Sequence, residues 1–370
     1  MELKIASKAD IEHAQKEWNA LVESMRVPSI FLTWEWVVTW IKHFGVVYDK
    51  LVLFVYQDQK LVAIMPLAVC TKRLENGIQK LKVLSFCGSI ELFPDYLDII
   101  CSKDDDAVQY IECIFNFLLT TYKDWDMMYL GFLLTDSALL KYVQSKNFRL
   151  LKIKDSEIIA PYIPEIKDID TFLTERMNQK RRHELRRQKR VLYEKKGVSI
   201  KKIDNEADLT RYVDDLFRLH KIRKDHIQVD STFIDDTIMS FHREIAQKFL
   251  QIDRLRYYIM LDRDNNPIAA AYGFVYDNKY HFYQSGMDPQ WSKESPGKII
   301  IMSILEDLFS DEIKELDFLS GDQEYKFIWT DEKREMVTYT VYNKKLLSVS
   351  EYVIRVLIKK IKYCINKHLR

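Results

Sequence analysis

Residues 280–298 decide the fold, and their sequence is YHFYQSGMDPQWSKESPGK. The part up to Met287 has the aromatic pattern of a strand, and an apolar helix begins at Ser295-Pro296-Gly297-Lys298. Serine suits the cap of a helix, proline its first turn, and glycine lets a ligand approach the main chain closely. The unpaired N–H groups of a first turn and the helix dipole favour an anion. We therefore predict that this helix start binds a phosphate-bearing acyl carrier.

The residues around this segment predict an α/β protein. Between residues 255 and 326 the pattern is strand, turn, strand, turn, strand, helix and strand, which gives a mixed, mostly antiparallel sheet flanked by helices. The first half of the chain has the same order of helices, hairpin, strands and helix, without sequence identity to the second half. We expect two domains, residues 1–165 and 166–345, followed by a basic amphipathic helix at 346–370.

Composition excludes several classes of protein. Lys plus Arg (56) nearly equals Asp plus Glu (55), so the chain as a whole is not a general polyanion binder. The five cysteines form no CxxC pair and the histidines show no ligand spacing, so we predict neither a disulfide scaffold nor a metal site. There is no signal-peptide pattern and no apolar run of roughly 18 residues, which favours a cytoplasmic protein.

Several short sequence motifs are spread along both halves of the chain. In the second half they are residues 268–274, 283–291, 295–297 and 317–329. In the first half they are Pro28-Ser29, Trp34-Glu35-Trp36 and Pro94-Asp95-Tyr96. Together these runs resemble the branch of the GNAT superfamily that holds Fem-type and cellulose-biosynthesis (CelD-like) acyltransferases. The resemblance implies two GNAT-like domains in tandem and an N-acyltransferase that works by direct attack of an amine.

The resemblance also implies a donor. Acyl-CoA, acetyl-CoA above all, would be held by the main chain and side chains of Tyr283, Ser285, Gly286, Ser295, Gly297 and Lys298. GNAT enzymes carry an Arg/Gln-x-x-Gly-x-Gly/Ala pattern at this helix start, whereas this chain has a single glycine there. Fem-type relatives take the acyl group from aminoacyl-tRNA and act on a peptidoglycan precursor. A tRNA-dependent transferase is therefore the alternative, although the paired heptads of a Fem-type helical arm are not visible.

The loop after the last strand of that pattern carries the candidate catalytic residues. Acylating an amine requires removal of its proton and stabilisation of an oxyanion. Asp322 would accept the proton or hold the amine, Tyr325 would donate to the departing thiolate, and Lys326 would stabilise negative charge on the carbonyl or on phosphate. The acceptor would enter between the domains, as an amine or amino sugar on a cell-envelope or polysaccharide precursor that is nucleotide- or lipid-linked.

Two further features supply candidate contacts for the acceptor. A strongly basic helix is predicted at residues 168–196, and its leading candidates for binding an anionic substrate are Arg182, Arg186 and Arg187. In the first domain, an edge at which a sugar ring would stack is marked by Trp36, Asp95 and Tyr96. A non-catalytic module that binds anionic glycans or nucleic acid through the basic helix is a third interpretation.

The final predicted helix, residues 346–370, has one apolar stripe and several lysines. It suits docking on its own protein, and it also suits peripheral contact with an anionic membrane at the inner face.

Overall fold

A computed structural model describes residues 1–73, 80–233 and 235–368, and for 362–368 it describes the main chain alone. It divides into two compact units, one made of Met1–Ile158 with Glu335–Arg370 and the other of Ile159–Arg334. The chain returns to the first unit at residue 335, whereas the sequence suggested a boundary after residue 345. The expected mixed α/β fold class, with sheets flanked by helices, is confirmed.

The strands are β1 Glu2–Ile5, β2 Asp49–Gln57, β3 Lys60–Arg73, β4 Lys80–Phe86, β5 Ile100–Cys101, β6 Met127–Leu134, β7 Leu151–Ile163, β8 Ser199–Ile203, β9 Leu255–Leu261, β10 Pro267–Tyr276, β11 Lys279–Met287, β12 Glu315–Asp317 and β13 Lys333–Tyr342. The α-helices are α1 Lys8–His13, α2 Gln15–Ser24, α3 Trp34–Phe44, α4 Ala107–Thr120, α5 Ala138–Gln144, α6 Ile169–Arg176, α7 Gln179–Arg190, α8 Glu206–His226, α9 Asp236–Gln251, α10 Pro296–Ser310 and α11 Leu346–His368. The last two residues of the predicted C-terminal helix lie outside the described residues.

The first unit is built on a sheet in the order β1-β2-β3-β4-β6-β13. Strands β4 and β6 run parallel and the other neighbours antiparallel. Asp58 and Gln59, with φ of 50° and 64°, form the two-residue turn that joins β2 to β3. Helix α3 fills the core with Trp36 and Trp40, which are fully buried. This unit therefore has its own apolar core.

The second unit has the sheet order β12-β11-β10-β9-β8, and the carboxyl end of β7 pairs with β12. Strands β11 and β12 are parallel, and the other pairs are antiparallel. Because side chains alternate along a strand, Tyr258 and Tyr280 face one layer, and Tyr257 and Tyr272 face the other. Helices α6, α7 and α10 cover the first face, and α8 and α9 cover the second.

The basic segment forms two helices rather than the single helix predicted at residues 168–196. Met177 is extended (φ −129°, ψ 143°) and separates α6 from α7. The side chain of Asn178 then caps α7 by accepting an N–H of its first turn (3.0 Å). Asparagine favours a helix start because it satisfies an otherwise unpaired donor, which explains the break. Gly197, at a left-handed φ of 68°, follows the end of this segment, where glycine is favoured.

Two buried histidines lie between the sheet and helices α8 and α9. The ring of His242 lies 5.2 Å from that of Phe233 and 5.9 Å from that of Tyr272. The Nδ1 atom of His220 lies 2.8 Å from the hydroxyl of Ser231. Burial lowers the pKa of His220 to about 4 and the pKa of His242 to about 3. Both rings are therefore neutral at pH 7.

Gly286 marks a close main-chain contact between α8 and β11. A Cβ atom added there would lie 2.5 Å from the carbonyl carbon of Leu219 and 2.8 Å from the Cα of His220. Gly297, at the start of α10, is different, because its added Cβ would meet the sulfur of Met287 at 3.6 Å. The first position has no room for a side chain and the second does.

We expect the free energy of unfolding to fall as the pH is lowered from 6.5 towards 4. The unfolded chain takes up a proton at His220 and at His242 below about pH 6.5, whereas the folded chain does not, so each of these two contributes up to about 1.4 kcal/mol per pH unit, and the buried His281 acts in the same direction. His242→Phe removes one such group and should give a shallower slope in urea titrations at pH 5, 6 and 7. The control is His13→Gln, a substitution at an exposed histidine. Equal slopes for the wild type and His242→Phe would contradict this account.

Gly286→Ala should destabilise the protein by about 1–3 kcal/mol, because α8 must move away from the strand to make room for a methyl group. Gly297→Ala is the matched control and should stay within about 1 kcal/mol of the wild type, since its methyl group makes an ordinary contact. Urea unfolding followed by circular dichroism measures both variants. Equal stabilities would mean that the contact at Gly286 adapts freely, which the main-chain distances do not allow.

Candidate active site

Strands β11 and β12 part after three residue pairs, the last of which joins His281 to Asp317. Beyond this pair β11 continues to Met287, while the segment after β12 turns away from it. There the N–H of Phe318 donates to the carbonyl of Pro161 (2.9 Å). A gap therefore opens beside the main chain of the last residues of β11. Such a gap leaves N–H and C=O groups of a strand free for an extended ligand.

An ion cluster fixes the point at which the strands part. Arg334 donates to Asp317 (3.1 Å) and to Glu315 (2.7 Å), and its guanidinium lies 3.7 Å from the ring centre of Tyr162. Asp317 also accepts the N–H of Leu319 (2.8 Å), which has a left-handed φ of 56°. These contacts are mostly buried, so they hold the turn after β12 in one conformation.

A β-bulge lies in β11 next to the gap. The register to β10 shifts there, so that Gln284 pairs with Tyr272 and Phe282 pairs with Gly273. Tyr283 is the extra residue, and its ring lies 5.6 Å from that of His242 in the layer of α8 and α9. Tyr283, predicted as a donor contact, is thus directed towards that layer and does not line the cavity described below.

The start of α10 offers less free main chain than the sequence suggested. Ser295 precedes the helix in a left-handed conformation (φ 55°), and its side chain makes no capping hydrogen bond. Its carbonyl accepts the N–H groups of Lys298 (3.0 Å) and Ile299 (3.4 Å). Within the described residues the N–H of Gly297 has no recorded acceptor. The expected set of exposed amides therefore reduces to one N–H, with the Lys298 side chain beside it.

A cavity of about 170 Å³ lies at these elements. It brings together most of the residues predicted for the donor site and one of the predicted catalytic residues, namely Ser285, Gly286, Ser295, Gly297, Lys298 and Tyr325. Sequence reasoning missed Arg223, which α8 contributes to the lining and whose guanidinium carbon lies 5.7 Å from the ring centre of Tyr325. Arg223 sits among other basic residues in the last turn of its helix, so the sequence alone gives no signal that separates it from a surface residue.

The three predicted catalytic residues lie in different environments. Tyr325 lines the cavity, and burial raises its pKa to about 12, so its hydroxyl is protonated and can donate at neutral pH. Asp322 is exposed and does not line the cavity. Lys326 is buried, and its Nζ donates to the carbonyls of Leu319 (3.0 Å) and Ser320 (2.7 Å). In this structure Lys326 holds the turn together, and a direct role in catalysis stays a prediction.

The three arginines of the basic segment contact neighbouring groups of the protein. Arg182 donates to the carbonyl of Met177 (2.6 Å) at the end of α6. Arg186 pairs with Asp170 of α6 (2.7 Å), and Arg187 pairs with Glu184 through two hydrogen bonds (2.7 and 3.0 Å). All three therefore help to join or stabilise α6 and α7, and contact with an anionic substrate stays a prediction.

The candidate acceptor residues lie in the first unit. Tyr96 lines a second cavity, of about 250 Å³, between the end of α2 and the start of α5. Trp36 and Asp95 are almost fully buried, and the ring of Trp36 packs edge-on against Phe31 at 4.9 Å. Only Tyr96 of these three lines that cavity, and the sugar-stacking role stays a prediction.

In the described part of the chain, no group of three or more His, Cys, Asp or Glu residues is arranged to hold a metal ion. None of the described helices is both long and apolar enough to cross a lipid bilayer.

Known proteins resemble this chain in two ways. Residues 179–327, which include the whole lining of the 170 Å³ cavity, match the family described as "Acetyltransferase (GNAT) domain". A search of curated proteins gives no match.

The likeness to solved structures extends over nearly the whole chain. FemX is similar with a TM-score of 0.59 and 11% identity, over 91% of this chain and 97% of that chain. A conserved protein of unknown function from Bacteroides thetaiotaomicron VPI-5482 has a TM-score of 0.56 and 11% identity, over 93% and 100%. L-PGS from Bacillus licheniformis has a TM-score of 0.51 and 12% identity, over 92% and 96%. At these identities the likeness shows a shared fold, which fits the expected tandem arrangement. Residues 179–327 of the second unit are thus similar to the GNAT acetyltransferase family.

Proposed function

We propose that the protein is an N-acyltransferase that moves an acyl group from acyl-CoA, in the first instance acetyl-CoA, to an amine. One observation carries the proposal. The gap between β11 and β12, the start of α10 and the protonated hydroxyl of Tyr325 converge on one cavity within the domain that matches the GNAT family.

The lining suits a donor that combines a diphosphate with an amide-containing arm. The N–H of Gly297 and the cations Lys298 and Arg223 supply one donor and two positive charges for phosphate. Gly297 leaves room there, since an added Cβ would meet only a sulfur at 3.6 Å. The edge of β11 that faces the gap can hydrogen-bond an extended amide arm as a further strand would. When bound, acyl-CoA supplies an activated thioester, and the residues of this chain position it.

Proton transfer follows from the side chains that line the cavity. The amine attacks the carbonyl carbon of the thioester, the C–S bond breaks, and the sulfur takes the proton of the Tyr325 hydroxyl. The proton lost by the amine then restores the tyrosine through water. The described lining contains no carboxylate or imidazole, so the amine must reach the thioester unprotonated or lose its proton to water. Main-chain N–H groups of β11 that face the gap are the candidates for stabilising the oxyanion.

The acceptor class follows from the resemblance to Fem-type and CelD-like enzymes. A member of the Fem-type and CelD-like branch would acylate an amine or amino sugar on a cell-envelope or polysaccharide precursor. The cavity of the first unit lined by Tyr96 supports a separate site for part of such a molecule.

Aminoacyl-tRNA is the second candidate donor. Two observations favour it, namely that the start of α10 offers one N–H without an acceptor in the described part of the chain, and the likeness in fold to FemX. The non-catalytic interpretation has less support, because Arg182, Arg186 and Arg187 contact groups of their own protein.

Isothermal titration with acetyl-CoA tests the donor. We expect saturable binding to the wild type and to Gly297→Ala, and none to Gly297→Trp, because the indole fills the space in front of the helix start. Circular dichroism and thermal unfolding confirm that both variants are folded. If the wild type gives no heat, the acyl-CoA assignment is wrong. Loss of activity in extracts after RNase treatment would then support aminoacyl-tRNA.

Tyr325→Phe tests the proton donor. The variant should release thiol from acetyl-CoA about 10²–10⁴-fold more slowly in the presence of an amine panel that includes glucosamine, while its affinity for acetyl-CoA stays unchanged. Asp322→Ala, at an exposed position outside the cavity lining, is the matched variant, and we expect a much smaller effect on turnover. A Tyr325→Phe enzyme with wild-type turnover would show that the thiolate leaves without this proton.

A further inference from the structure

The C-terminal helix α11 has two apolar faces, and only one of them packs on the protein. Leu347, Tyr352 and Val356 pack against a buried cluster of the first unit, and the ring of Tyr352 lies 5.4 Å from that of Tyr342. Lys359 also links α11 to β7, because its Nζ donates to the carbonyl of Lys154 (2.6 Å). This inner face explains why the helix is held along the sheet.

The outer face of α11 is also apolar and is exposed. Its side chains follow helical spacing and are 42–88% accessible to solvent: Leu346, Val353, Ile354, Leu357, Ile358 and Ile361. Residues three, four and seven apart lie on one side of a helix, so these six share one side of α11, the outer row, which extends over about 22 Å from Leu346 to Ile361. A helix with a single packed face would carry polar residues there, so burial on this protein does not explain the row.

Charge indicates what covers this row. After Glu351 the sequence contains Arg355, Lys359, Lys360, Lys362, Lys367 and Arg370 and no acidic residue, in a chain whose net charge is +1. Arg355 and Lys359 pair with Glu351 and Asp155. Lys360 is exposed and is in no recorded ion pair within the described residues, and it flanks Leu357 and Ile361. An apolar face beside the exposed Lys360, in a basic stretch of sequence, matches the interface of an anionic bilayer, in which acyl chains accept apolar side chains and lipid phosphates accept lysines.

We propose that α11 docks the protein on an anionic lipid surface through this outer row. The helix lies in the plane of the interface while its inner face stays on the first unit. Its lysines supply the selectivity for negative charge, and the row supplies the apolar contact. Docking of α11 is separate from the transferase chemistry, so lipid binding does not depend on whether acetyl-CoA binds.

Vesicle co-sedimentation of the full chain tests this docking. Vesicles of phosphatidylglycerol and phosphatidylcholine should sediment the protein at low salt, and vesicles of phosphatidylcholine alone should not. The double variant Lys360→Gln, Lys362→Gln should lower the partition coefficient by about tenfold or more, since each lysine near the surface is worth about fivefold. High salt should have a similar effect.

The apolar contribution has a matched pair of variants. Leu357→Glu with Ile361→Glu should abolish sedimentation, because both residues lie in the outer row. Val46→Glu with Val47→Glu changes two exposed valines between α3 and β2 in the same way and should leave binding intact. Circular dichroism and thermal unfolding show whether the variants are folded.

Three results would overturn the inference: no sedimentation of the wild type with anionic vesicles, equal sedimentation with neutral ones, or full binding by the folded Leu357→Glu, Ile361→Glu variant. A second copy of the chain is the other candidate for covering the outer row, and analytical ultracentrifugation tests for it. Self-association that this variant abolishes, in the absence of vesicle binding, would mean that a second copy covers the row.

Discussion

The candidate site depends on the parting of β11 from β12. Backbone N–H and C=O groups inside a sheet normally find partners on both sides, so a strand that loses its neighbour within a domain is unusual. Here the Arg334 cluster ends the pairing at Asp317 and directs the chain towards β7. The two strands that part also lead to the two ends of the cavity. β11 continues into the helix start at Gly297, and β12 continues into the loop that carries Tyr325.

Local sequence signals predicted much of the fold. The turn at Asp58-Gln59 adopts the left-handed conformation that a two-residue hairpin needs, and the turn at Asp277-Asn278 does the same. Local signals did not predict strand pairing between segments that are far apart in the sequence. Strand β13 pairs with β6 of the first unit, and no pattern in residues 333–342 specifies that pairing. Asn178 is a residue type that favours a helix start, which is a signal for the break. The basic residues before and after it form one run, and that run favoured a single helix.

The candidate site was predictable where main-chain geometry follows from residue type. Gly286, Ser295 and Gly297 are recognisable because glycine, and serine before proline, mark places where the chain turns or another group comes close. Side-chain direction was not predictable. The bulge at Tyr283 changes the direction of its ring, and a charge in a loop gives no indication of whether it faces solvent, as Asp322 does, or the carbonyls that bind Lys326.

The close approach at Gly286 also restricts how α8 can move. Because the helix rests on the strand without side chains between them, sliding it along β11 would require the main chains to separate first. Arg223 lies one helical turn beyond Leu219 and His220, so the position of its guanidinium over Tyr325 is set by this contact. Substitutions elsewhere in α8 that tilt or translate the helix would therefore alter the charge at the cavity. The tilt of α8 and the position of the positive charge beside Tyr325 are therefore coupled through this one contact.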